Sequence, residues 1–173
     1  MNGSDFVVVT VCRRFAERVY RGTMATTKEI TFDQLLSESR RFGRSAYIAS
    51  VSKSAIPFVS PVTFSWFGED LLTFLASNEQ KVRNCRVNSD VNVHFPVSEE
   101  NNWDSFLLWG KAQIISDTQG REYLWDKMGY DCNLFEPGGP SADTHVFMQI
   151  RLHKGLILRR YGIDGREVWR RES

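Results

Sequence analysis

The stretch Leu71–Asn88, LLTFLASNEQKVRNCRVN, gathers residue types that can hold a phosphate. An apolar run ends at Ala76, a small polar turn of Ser77 and Asn78 follows, and a helical pattern brings in Gln80, Lys81, Arg83 and Asn84. A helix N-terminus presents unpaired N–H groups and a partial positive charge, which suits an anion. Ser77 adds a hydroxyl and Lys81 a full charge. An ordinary capped helix with a solvated basic face would carry the same residues. A second stretch, Val59-Ser60-Pro61-Val62-Thr63, reads as a strand broken by proline. Proline cannot donate to a ladder, so this strand belongs at an edge or a bulge. There it could offer backbone groups to a planar heterocycle, or stand simply as a prolyl edge.

The usual catalytic patterns are missing. There is no GxSxG, no phosphate-binding P-loop and no GxGxxG after a strand, and no two carboxylates share an acid–base spacing. Asp143 and His145 could meet on one side of a strand but have no nucleophile nearby and read as surface residues. No catalytic residue is therefore assigned. His94, His145 and His153 are scattered, Cys12, Cys85 and Cys132 are odd in number, and no CxxC occurs. That supports neither a metal site nor a disulfide framework, and fits reduced thiols in the cytoplasm.

The elements that must position these residues follow from patterning. Thr31-Phe-Asp-Gln34 is a capping box opening an amphipathic helix over Thr31–Arg40, which Gly43 ends. Strands are expected at Ser45–Val51, Ile56–Trp66 and Leu71–Ala76, the last two joined as a hairpin at Gly68-Glu69-Asp70. That hairpin would set Val59–Thr63 beside the Leu71 strand. A short helix spans Asn78–Val87, capped by Ser77 or Asn78. Further strands are expected at Asp90–Val97 and Phe106–Ser116, the latter with Gly110 at a bulge or close approach. Asp117 caps a helix running to about Tyr130, and Asn133–Asp143 must be loop. Strands at His145–Leu152 and Gly155–Tyr161 and a final short run at Glu167–Arg170 close the pattern. Mostly hairpin-like connections favour an antiparallel barrel or sandwich with flanking helices over a parallel sheet.

With 173 residues, 42% hydrophobic and 13% aromatic, the chain suits one domain with a real core. Its net charge of +1 argues against a dedicated nucleic-acid binder. No apolar run approaches the ~20 residues of a membrane span. Residues 1–23, with Phe6–Cys12 apolar and Arg13, Arg14, Arg18 and Arg21 basic, stand outside this pattern. They read as an N-terminal extension, disordered or the product of an upstream start codon. Asp5 and Glu17 weigh against a targeting leader. Residues 24–173 form the domain.

The ordered set resembles the pyridoxamine 5′-phosphate oxidase-like split-barrel superfamily, and within it the general stress protein branch. The set is a strand, Pro-Val-Thr-Phe, a turn, Leu-Thr-Phe, a Gln-Lys helix, a strand, Trp-Gly-Lys-Ala-Gln and an Asp-capped helix. The resemblance covers about Thr31 to Arg160. It implies a mainly β, six-stranded antiparallel split β-barrel with short flanking helices, a homodimer, and FMN or a deazaflavin coenzyme at the dimer interface. Carried over by position, Ser77 and Lys81 would hold the phosphate, with Gln80 where many relatives have arginine and Asn78 also among the coenzyme-binding residues. Ser60, Pro61, Val62 and Thr63 would line the ring, with Ala76 and Asn84 as near neighbours. The strand around Ser105–Trp109 would approach from the other subunit. The implied function is an FMN-binding oxidoreductase acting on a small molecule. The alternatives are a deazaflavin-dependent reductase, for which Arg40, Arg41 and Arg44 form a basic cluster, and a non-catalytic flavin-binding stress protein. A heme role would use one of the histidines. Trp103, Trp109 and Trp125 could shape the substrate pocket, or be core. Trp169 and Arg170 lie too close together for the substrate signature of the vitamin B6 oxidases.

Overall fold

The computed structural model describes residues 26–172, so the expected extension at 1–23 lies outside the described residues. Helix α1 (Phe32–Ser39) starts as its capping box requires. The Gln34 N–H donates to Thr31 Oγ1 at 3.2 Å, and the Thr31 N–H donates to Gln34 Oε1 at 2.9 Å.

Among the described residues nine strands make one mixed sheet: β1 (Thr27–Glu29), β2 (Ser45–Val51), β3 (Pro57–Thr63), β4 (Ser65–Phe67), β5 (Asp70–Ala76), β6 (Asp90–Phe95), β7 (Ser105–Ile115), β8 (His145–Leu158) and β9 (Arg166–Arg170). The six principal strands are antiparallel, in the order β3-β2-β6-β7-β8-β5. Only the short β1 and β9 pair in parallel. Strand β8 keeps β7 along one side, while its other side pairs with β5 in its first half and with β9 in its second. That change of partner splits the barrel.

Strand β3, with Pro57 and Pro61, lies at the sheet's edge as proline demands. The sequence-derived hairpin is shorter than expected. Phe64 leaves the ladder, donating its N–H to the Arg44 carbonyl, so β4 alone pairs with β5 while β3 pairs with β2. Gly110 sits at a register shift, where a Cβ would come within 2.6 Å of the Arg151 carbonyl oxygen. Strand β8 runs unbroken through Gly155, where a Cβ would meet Leu35 Cδ1 at 2.7 Å. The two strands expected there are one, because Gly155 makes room for α1 rather than a turn.

Two apolar clusters explain why β5 is hydrophobic on both faces. Leu71 and Leu75 point into the barrel with Ile48, Val93 and Met148. Leu72 and Phe74 point outward against Leu124, Met128 and Cys132. Helix α2 (Gln80–Val87) follows β5, and α3 (Thr118–Leu124), capped by Asp117, covers the outer cluster. Helix α3 ends well before Tyr130, tightening into a 3₁₀ turn at Trp125–Lys127 ahead of Gly129, whose φ is +65°.

Candidate functional site

A cleft of about 510 Å³ opens where the edge strand β3, the end of β5, the start of α2 and the loop after α3 converge. It is lined by Pro61, Val62 and Thr63 from β3, Thr73, Phe74 and Leu75 from β5, and Glu79 and Lys81 from the start of α2. Ser45 from the start of β2 joins Thr63, its ladder partner. Tyr130 and Phe135 come from the long loop and pack edge to face, ring centroids 5.6 Å apart.

Arg44 fixes that loop. Its guanidinium donates to the Met128 carbonyl at 2.6 Å, the Gly129 carbonyl at 3.2 Å and Ser65 Oγ at 2.5 Å, and lies 5.6 Å from the Tyr130 ring centre. Burial pushes the Tyr130 phenol up to about 12, so it enters the cleft as a neutral hydroxyl. At the loop's far end Glu136 accepts from Thr144 Oγ1, and His145 Nδ1 lies 3.4 Å from the same carboxylate. The Thr144 bond, then His145, holds the Glu136 carboxyl below its ordinary value.

Lys81 projects into the cleft with its side chain only 7% exposed and its ammonium bonded to Glu79 Oε2. Glu79 is the N-cap residue of α2, yet its side chain caps nothing there; Oε1 instead accepts from the Ala76 N–H at 3.1 Å. The expected cap at Ser77 or Asn78 is therefore one residue or more too early. The Ser77 N–H is drawn to the Thr144 carbonyl, which holds the turn off the helix axis.

Of the ten residues singled out from the sequence, Pro61, Val62, Thr63 and Lys81 line the cleft together. Ser60 sits beside them with its hydroxyl buried and no hydrogen-bond partner. Ala76 ends β5, and Ser77 and Asn78 form the turn into α2; none of the three lines the cleft. Asn84 is buried under the helix, donating to Ser50 Oγ at 3.0 Å and accepting from Gln80 Nε2 at 2.7 Å. The tryptophans lie elsewhere: Trp109 on the outer face under Lys154, Trp125 against the outer apolar cluster, and Trp103 exposed. Trp169 is core, 5.4 Å from the Phe32 ring, and Arg170 pairs with Glu29, so neither belongs to the cleft. Asp143 is not the partner of His145; Glu136 is.

Sequence reasoning missed Glu79, Thr73, Ser45, Tyr130 and Phe135. Glu79 carried a signal, a carboxylate two residues before the lysine. Tyr130 and Phe135 carried none, since the loop that brings them is far along the chain from β3. Among the described residues no group of three His, Cys, Asp or Glu could hold a metal, and no helix is long and apolar enough to cross a membrane.

A family model for pyridoxamine 5′-phosphate oxidase matches residues 35–158. No curated protein matches the chain. Among solved structures, one similar protein is related to general stress protein 26, of the pyridoxinephosphate oxidase family, from Clostridium acetobutylicum. It is 14% identical, with 82% of this chain and 96% of that chain covered and a TM-score of 0.65. A pyridoxamine 5′-phosphate oxidase-related, FMN binding protein from Nostoc punctiforme is 14% identical over 75% of this chain and 84% of its own, with a TM-score of 0.55. An F420 reductase is 23% identical over 68% and 94%, with a TM-score of 0.50. At these identities the likeness to each structure is one of fold.

Proposed function

The chain belongs to the pyridoxamine 5′-phosphate oxidase family, and from that premise we propose that it is an FMN-binding oxidoreductase whose coenzyme lies in the cleft between β3, β5 and α2. The observation that carries this reading is the buried Lys81 at one end of a largely apolar cleft. A volume of about 510 Å³ suits a ligand of coenzyme size, within the usual ~300–1,000 Å³. Lys81 would take the phosphate, with the first N–H groups of α2 beside it. Among the described residues strand β3 has a neighbour on one side only, so the outer edge of Pro61–Thr63 is available to a ring. Phe74, Tyr130 and Phe135 would exclude water from it. A bound flavin supplies the two-electron chemistry itself, which is why an acid–base pair in the chain is not required. The reductant and the small-molecule acceptor are open to assay.

The same reading makes the protein a homodimer. The ladder aligns outward-facing side chains in rows across β3, β2, β6 and β7: Pro61, Tyr47, His94 and Leu107 in one, Val59, Ala49, Asn92 and Trp109 in the next. Val59 is 61% and Tyr47 45% exposed, an apolar sheet face of the kind that partners cover. Pro61 belongs to both this face and the cleft, so a partner seated there would complete the coenzyme site.

Titration of coenzyme-free protein with FMN and with a deazaflavin coenzyme, followed by fluorescence, tests the reading. Tight FMN binding by a dimer in light scattering is the expected result. Preference for the deazaflavin would recast the protein as a deazaflavin-dependent reductase, although Arg41 and Arg44 are already engaged with Asp104 and the Tyr130 loop. Binding of neither overturns the reading, and a monomer that binds FMN tightly overturns the interface placement. Steady-state turnover with NAD(P)H and generic acceptors separates an enzyme from a non-catalytic flavin protein.

A further inference from the structure

The phosphate end of the cleft already contains an anion. Among the lining residues Lys81 is the sole cation and Glu79 the sole carboxylate, and the two are bonded to each other. A desolvated ammonium is expensive unless paired, so Glu79 is what lets Lys81 stay buried without a ligand. Among the lining residues no second positive charge offsets Glu79. Gln80 is neutral, and the Arg83 guanidinium is spent on the Asn78 carbonyl and on Gln80 Oε1. The carboxylate is also held in place from behind, by the Ala76 N–H on its other oxygen.

Resting on the flavin reading above, we propose that Glu79 sets the ligand specificity of the cleft. Its carboxylate competes with the coenzyme's phosphate for the Lys81 ammonium, so that the site takes the flavin ring with little preference for the phosphorylated form over the unphosphorylated one. A phosphate monoester brings roughly −1.5 to −2 charge near neutrality. Placed at Lys81, it must either share one ammonium with Glu79 or displace it. In the first case two anions crowd one ammonium; in the second Glu79 loses the cation it is bonded to. Both subtract from the phosphate's contribution and leave the ring's contribution untouched, because the ring would lie along Pro61–Thr63 and Phe74, away from this pair.

The test compares FMN with riboflavin, which differ only in the phosphate, on the wild-type protein and on Glu79→Gln. Glutamine keeps an acceptor for the Ala76 N–H and removes the charge. The wild type should bind the two flavins within about tenfold of each other, and Glu79→Gln should tighten FMN by about tenfold or more while riboflavin stays nearly unchanged. Lys81→Met added to Glu79→Gln should abolish that gain. Riboflavin affinity reports an intact cleft in every variant. An unchanged or smaller FMN-to-riboflavin ratio in Glu79→Gln, with riboflavin still bound, overturns the role of Glu79 and leaves the flavin reading standing. So does a wild-type preference for FMN well above about a hundredfold. Failure of both proteins to bind either flavin removes the flavin reading and this inference with it.

Discussion

Asp104 and Glu79 both bond cations, under opposite conditions. Asp104 has a side chain only 2% exposed and accepts from Arg41 Nη2 at 2.8 Å, Arg159 Nη1 at 2.9 Å and the Arg160 N–H at 2.9 Å. Arg159 reaches on to Glu38 at 2.8 Å and Glu167 at 2.6 Å. These bonds join segments 55 and 121 residues apart, so they tie α1 and the start of β7 to the end of β8. They also hold backbone that would not choose its conformation: Asn102, Trp103, Arg160 and Tyr161 all have positive φ, and the Tyr161 N–H donates to the Trp103 carbonyl. Glu79, 34% exposed, bonds a lysine two residues away and so ties nothing distant together. A buried charge with several long-range partners is committed to the fold. A partly exposed charge with only local partners, facing a cleft, is free to be shared with a ligand.

The comparison can be broken at either end, and the largest effect is expected at the first. Asp104→Ala removes the buried carboxylate that Arg41, Arg159 and the Arg160 N–H share and should lower stability by about 3 kcal/mol in denaturant unfolding. A loss near that of an ordinary surface substitution would mean that the network does not hold the barrel end.

Acid should reach the same network next. Burial alone would raise the Asp104 carboxyl, but the Arg160 N–H, Arg41 and Arg159 outweigh it and hold it low, while Arg159 first and then Arg41 do so for Glu38. A carboxyl lowered on folding adds stability at pH above its unfolded value and loses it as pH falls through the folded one. Unfolding midpoints should therefore drop below about pH 4, and Asp104→Asn should flatten that acid limb. An equally steep limb in the variant would move the acid sensitivity elsewhere.

The smallest stability change belongs to the cleft. Lys81→Ala should cost about 1 kcal/mol or less in stability, because it frees a Glu79 that is partly solvated. It should weaken FMN by roughly tenfold, the low end for a charge-assisted contact, because Glu79 already shares the ammonium. A large stability loss with unchanged FMN affinity would make this pair structural too, and erase the distinction.

Much of the fold was legible because its signals are local. Thr31 and Gln34 close their box within one turn, Pro57 and Pro61 forbid a ladder donor wherever they stand, and Gly110 marks a close approach whatever makes it. The same locality put Lys81 and the Pro61–Thr63 strand on the candidate list, although the reasoning joined them by the wrong ladder. It paired β3 with β5, whereas Phe64 turns out to the Arg44 carbonyl and sends β3 to β2. The cleft still forms, because the sheet's curvature rather than a hairpin brings β3 across from α2.

By itself, then, the sequence determined most of the elements, the edge position of β3 and the helix that carries Lys81. These depend on a residue's own donors, its backbone freedom and neighbours within a turn. Only the tertiary structure decided that Tyr130 and Phe135 close the cleft, that Asp104 rather than Glu79 is the buried anchor, and that Lys81 already has an anion beside it. A wall built from distant segments leaves no periodicity to read. The meaning of a charge depends on how many partners reach it and how much water does, and both are set when the chain folds.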